Sequence, residues 1–193
     1  MNAPPPMPPD RTRTCLALAL LLALGCTVAT AAPPVLEEPR AKAAFLYNFA
    51  RFVRWPETHR PEAGGTIRLC VVGADPVGEA LGELDGKPIG DRRITVRTGL
   101  TPAEAAACHV VFVPRSQEDR LDAVLAALEG RGVLTVSDIP GFARRGGVIG
   151  LRKVNRHLRF EIDAAAARRQ GLAVSARLLE IARRYAEESE KEE

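Results

Sequence analysis

Short apolar runs alternate with stretches of helical spacing through most of this chain, and that alternation limits the fold more than any other feature. TIRLCVVG (66–73), CHVVFVP (108–114) and VLTVSD (133–138) have strand length, with β-branched residues at about half of the positions. Strands so uniformly apolar are covered on both faces. Helix starts stand between them. Asp75 and Pro76 suit the N-cap and first position of PVGEALGEL, and Thr101, Pro102 and Glu104 form a capping-box order for TPAEAAA. SQEDRLDAVLAALEGRG is amphipathic with a glycine exit, and DRRITVRT supplies a further strand after the turn-rich DGKPIGD. Strands and helices in alternation imply right-handed crossovers and a mostly parallel sheet between two helical layers, an α/β/α sandwich.

Beyond residue 145 the pattern changes. GGVIGLRKVNRHLRFEID (146–163) holds two runs of alternating apolar and polar residues joined at Asn155, which predicts an antiparallel hairpin at the C-terminal edge of the sheet. Asp163 is placed to cap AAAARRQ, Gly171 ends it, and SARLLEIARRYAEE forms a last amphipathic helix. There is no internal repeat or linker, so one domain is expected over 40–186, followed by an acidic tail at 187–193.

The stretch KAAFLYNFARFVRWPET (42–58) holds five of the chain's nine aromatic residues. Phe45, Phe49, Phe52 and Val53 recur with helical spacing, Leu46 and Ala50 widen the stripe, and Trp55–Pro56 is the expected stop. The phenylalanines thus predict a face packed on the sheet. Tyr47, Arg51 and Arg54 lie opposite, with Trp55 at the rim, and aromatics beside arginines on an outward face have the composition of a protein interface.

The first 31 residues belong to no fold. Arg11 and Arg13 precede the apolar run 15–25, and ATA follows at 29–31, the order of a secretory signal cleaved near Ala31. The run is too short to span a membrane. Cys26 offers a competing lipid-anchored processing site, against which its leucine stands one position out of register. Residues 32–39 then form a short lead. After cleavage 25 basic residues face 23 acidic ones, a balance that points to no polyanionic partner. Cys70 and Cys108 remain as the exported domain's two cysteines, and an oxidising compartment favours a disulfide between them over two buried thiols.

Residues that carry chemistry are sparse. His59, His109 and His157 occur outside any metal-binding or nucleophile motif, so no metal site, cofactor or catalytic group is expected, and a hydrolase built on Ser137, Asp138 and His109 has only residue types behind it. GADPVG (73–78) lacks the pattern of a dinucleotide or phosphate loop, but parallel sheets bind small molecules beyond their carboxyl ends, so Asp75, Arg115 and Asp138 outline a ligand crevice. The basic residues Arg144, Arg145, Arg152, Lys153, Arg156, His157 and Arg159 gather at the hairpin without interleaved aromatics. That composition argues against nucleic acid and for either a solvated edge or an acidic protein partner.

Taken in order, AAFLYNFARFVRWP, CVVGADPVGEAL, CHVVFVP, VLTVSDIPGFARRGGVIGL and LRFEIDAAAARRQGLAVSARLLEIA resemble the YfiR-like periplasmic proteins over about residues 40–183. The resemblance implies a Rossmann-like sandwich without an enzymatic site and a regulator that restrains an inner-membrane diguanylate cyclase by binding its periplasmic portion. It also implies titration by an outer-membrane-associated lipoprotein, a homodimer, and a structural disulfide at Cys70 and Cys108. Tyr47, Arg51 and Trp55 become the expected partner-binding residues, with a small-molecule binder using the crevice as the alternative. Some relatives carry a second cysteine pair around the GG turn, and ARRGGVIGL (143–151) has none, so redox switching through that bond does not carry over.

Overall fold

Each apolar run becomes a strand, and side-chain parity along the strands decides which helical layer each residue meets. The computed structural model describes residues 38–155 and 157–190. The leader, Cys26, most of the lead segment, Arg156 and residues 191–193 lie outside the described residues. The chain opens with α1 (Glu38–Phe52), β1 (Val53–Arg54), β2 (Thr66–Val72), α2 (Pro76–Gly82), β3 (Pro88–Ile89) and β4 (Arg92–Leu100). It continues with α3 (Pro102–Ala105), β5 (Val110–Val113), α4 (Leu121–Leu128), β6 (Leu134–Ser137), β7 (Ile149–Val154) and β8 (His157–Ile162). Then come α5 (Ala164–Arg169), β9 (Ala173–Val174) and α6 (Ala176–Glu190).

A seven-stranded sheet runs β3-β4-β2-β5-β6-β7-β8. The five strands from β4 to β7 are parallel, and β3 and β8 pair antiparallel at the two edges. Successive side chains point to opposite faces of a strand. Accordingly Leu69, Val71, Val110, Phe112, Leu134 and Val136 join the core with α1 and α6, while Cys70, Val72, Val111 and Val113 join a second core with Leu121, Val124, Leu128 and Phe142. The expected caps are present: Asp75 accepts from Val77 N at 2.9 Å, Asp163 accepts from Ala165 N at 2.7 Å, and Thr101 with Glu104 closes a capping box. Asn155, with φ 46°, makes the hairpin turn. A Cβ on Gly147, ahead of β7, would lie 2.0 Å from the buried Phe142 ring, so that position admits only glycine. Cys70 and Cys108, both fully buried, are joined by a disulfide between β2 and the residue two before β5.

Three features differ from the sequence-based expectation. The first helix ends at Phe52, three residues before Trp55, because Val53 and Arg54 turn extended and pair with Val174 and Ala173 in a two-stranded sheet. Pairing with residues far along the chain overrides the helical spacing. DGKPIGD contributes β3, whose two residues pair with Arg92 and Arg93. The last helix runs past the expected domain end at 186: α6 reaches Glu190, with Glu187 against Arg183 at 3.8 Å and Glu188 against Arg159 at 3.0 Å. No helix among the described residues is long and apolar enough to cross a membrane.

Candidate functional site

Two regions collect polar side chains, one at each end of the parallel strands. At the carboxyl ends, Asp75 follows β2 and Asp138 follows β6, as the crevice reading expects. Between them stands Lys42 from α1, which that reading omits. Its ammonium donates to Asp138 Oδ2 at 2.7 Å and to Glu38 Oε1 at 2.8 Å, and Lys153 closes the group at 3.1 Å from Glu38. Lys42 is 8 % exposed. Burial opposes its charge, but bonds to Asp138 and Glu38 outweigh that and raise its pKa. Its bonds to Lys42 and then Lys153 hold Glu38 below the ordinary carboxylate range. Asp75 is pushed up, chiefly by burial and further by the charge of Asp138. Asp138 Oδ1 is buried without a hydrogen-bond partner among the described residues. Arg115, the third expected member, is exposed at the start of the 3₁₀ segment 115–120. Lys42 was legible: it lies at i−3, i−4 and i−7 from Phe45, Leu46 and Phe49, on the buried arc of its helix.

At the amino ends the chain is pinned around residues 107–109. Three successive carbonyls accept from side chains: Ala107 from Arg68 Nε at 2.7 Å, Cys108 from His59 Nε2 at 2.9 Å and His109 from Trp55 Nε1 at 3.1 Å. His109 Nδ1 accepts from Arg68 N at 2.9 Å, so the neutral ring carries its proton on Nε2. Burial first, then the charges of Arg68, His59 and Arg92, lower the His109 pKa to about 3. His109 lies at the opposite end of the strands from Ser137, which faces Val113. Four residues of strand, about 13 Å, separate the two, so the hydrolase grouping does not assemble.

The expected partner-binding residues divide. Trp55 is 7 % exposed and packs into the core, so the expectation of a rim position is corrected: its indole N–H needs an acceptor, and the His109 carbonyl supplies one inside. Tyr47 is half-buried, with its hydroxyl donating to Pro88 O at 3.3 Å. Arg51 is exposed, its guanidinium 5.9 Å from the Tyr47 ring centre. Beside this face a groove of about 600 Å³ runs between the end of α1 and the β3–β4 turn. Buried Val53, Trp55, Ile67 and Ile89 line it, and Arg51, Arg54, Arg60 and Arg92 surround it. Arg60 lies two residues beyond 42–58 and Arg92 more than thirty, and nothing in their local pattern marks them as partners.

The hairpin cations are engaged internally. Arg159 pairs with Glu188 and lies 4.4 Å from the Tyr185 ring centre, Arg152 donates to Tyr185 O at 3.2 Å, and Lys153 reaches Glu38. They fasten α6 and α1 to the sheet edge, and Arg144 and His157 are exposed. Among the described residues no cluster of three or more His, Cys, Asp or Glu is arranged to hold a metal.

A model of the YfiR/HmsC-like family matches residues 39–183. Among solved structures, a conserved domain protein from Vibrio cholerae is similar with a TM-score of 0.51 at 10 % identity, over 76 % of this chain. The match spans 60 % of the Vibrio chain, and at that identity it speaks for the fold alone.

Proposed function

Because this chain belongs to the YfiR/HmsC-like family, a family of regulatory periplasmic proteins, we propose that it is an exported repressor of an inner-membrane diguanylate cyclase. The family match, which covers nearly all of the described fold, carries the reading. In it the protein binds the cyclase's periplasmic portion more tightly in its inactive state, and that difference in affinity lowers cyclic-di-GMP synthesis. Export follows a signal cleaved near Ala31, an outer-membrane-associated lipoprotein competes for the repressor, and the working form is a homodimer. Tyr47 and Arg51 contribute the contact surface, and Trp55 supports it from beneath.

The test is cyclic-di-GMP measured in cells whose own copy is deleted and replaced by variants. Tyr47→Ala and Arg51→Ala raise it towards the deletion level while the melting temperature stays near that of the parent. Normal repression by both variants removes these residues from the contact. A second reading, a periplasmic small-molecule binder, is favoured by one observation, the partnerless buried Asp138 Oδ1 beside Asp75 at the carboxyl ends. A metabolite screen by thermal shift separates the two, because a ligand bound only by the folded state raises the melting temperature.

A further inference from the structure

The groove beside α1 is built for an anion, and its neighbours say what kind. Its four guanidinium groups come from α1, β1, the 55–65 connection and β4, and no carboxylate lines it. Two of the four are held in place from within. Arg92 Nε donates to Glu62 O at 3.1 Å and its Nη1 to Asp91 at 2.7 Å, while Arg60 pairs with Glu57. The Arg60–Glu57 pair is solvent-exposed and the Arg92–Asp91 pair partly so, and pairs of this kind carry little energetic weight. Arg51 and Arg54 are exposed, and neither has a carboxylate within ion-pair distance among the described residues.

The shape is elongated. Arg60 and Pro61 also form the wall of an adjoining, more polar cleft of about 470 Å³ that reaches Arg68 and His59, with Glu62 in its lining. A compact anion uses one cluster of guanidinium groups, whereas four cations spread around a groove with an apolar floor of Val53, Trp55, Ile67 and Ile89 suit an extended chain with alternating acidic and apolar side chains. Nucleic acid needs exposed aromatic platforms for its bases, and the aromatic ring here, Trp55, is 7 % exposed.

We infer that this groove takes an extended acidic segment of the protein partner, with Arg51 and Arg54 supplying its free charges. The inference rests on the repressor reading and names the chemistry of its contact. The probe is a fluorescein-labelled Glu-Leu-Glu-Leu-Glu-Leu peptide, with its Gln-for-Glu counterpart and a single-stranded oligonucleotide as comparisons, read by anisotropy on the purified protein. The acidic peptide binds at least about tenfold more tightly than the Gln peptide, and its affinity falls at least about tenfold between about 50 and about 500 mM salt. The double variant Arg51→Glu/Arg54→Glu loses that binding with an unchanged melting temperature. The Lys double variant keeps most of it, and Arg144→Glu, at the other end of the sheet, binds as the parent does.

Equal binding of the Gln peptide, equal binding of the oligonucleotide, or binding untouched by the Glu double variant overturns the assignment. In cells the two levels separate. If the Glu double variant represses cyclic-di-GMP as the parent does, the groove is not the contact and the repressor reading stands. If deleting the protein leaves cyclic-di-GMP unchanged, the repressor reading itself fails.

Discussion

Trp55 and His109 are joined twice: the indole N–H donates to the His109 carbonyl at 3.1 Å, and the rings meet edge-on with centres 5.7 Å apart. The segment just after the first helix is thereby fastened to the start of β5, one residue from the disulfide's Cys108. Trp55→Ala removes a buried ring and is expected to cost about 3–5 kcal/mol. Trp55→Phe keeps most of the packing but removes the indole donor, leaving the His109 carbonyl with Leu134 N alone, and costs roughly 1 kcal/mol. Urea unfolding of both variants beside Tyr47→Ala, expected within about 1 kcal/mol of the parent, checks the division between support and surface.

His109 makes stability depend on pH on the acid side. Its folded pKa of about 3 lies below the unfolded value of about 6.5, because protonation would charge a buried ring and remove the acceptor of the Arg68 N–H. The unfolded chain therefore binds the extra proton, and stability falls as pH drops from about 6.5 towards 3. Melting temperatures of the parent decline over that window. His109→Gln, which keeps an acceptor but does not titrate, shows a visibly shallower decline.

Asp75 works with the opposite sign. Burial and the Asp138 charge raise its pKa, so the ionised group costs stability at neutral pH, and that cost fades as pH falls through its folded pKa. Asparagine caps a helix as well as aspartate. Asp75→Asn is thus expected to be neutral to stabilising by a few tenths of a kcal/mol at pH 7, with no advantage at about pH 4. Chemical unfolding at the two pH values measures it.

The Lys42–Asp138 pair ties α1 to the end of β6, 96 residues away in sequence. Lys42→Met leaves Asp138 without its cation and costs roughly 2–4 kcal/mol, at the lower side for a buried pair because Asp138 is 21 % exposed. The double variant Lys42→Met/Asp138→Asn recovers at least part of the loss. With a raised pKa, Lys42 stabilises below about pH 10.5 and loses that effect as pH rises through its folded value, whereas Glu38 stabilises above about pH 4.5 and loses it on acidification.

The disulfide closes a loop with a sequence separation of 38 and contributes about 4 kcal/mol on the chain-entropy estimate. Cys70→Ala/Cys108→Ala lowers stability by that order. Thiol counting on unfolded, unreduced protein finds no reactive thiol at these positions, and two would refute the bond.

The kinds and order of most elements were legible because each rests on local spacing. Asp75, Thr101 and Asp163 cap where their neighbours require, strand parity sorts Val110 from Val111, and the turn at Asn155 reads directly from the alternation around it. Where local spacing competed with distant pairing, it lost: Val53 fits the helical stripe of Phe45 and Phe49, yet it forms a strand with Val174.

By itself, then, the sequence determined an α/β sandwich with a hairpin edge, two cysteines in step with a bond, and a first helix with one apolar face. Tertiary structure alone decided that Trp55 turns inward to a carbonyl 54 residues on, that Lys42 meets Asp138, and that Arg54, Arg60 and Arg92 share one groove. The reason is physical. Period and capping act within a turn or two of chain, whereas these meetings depend on the order in which strands enter the sheet, and no local spacing encodes that order.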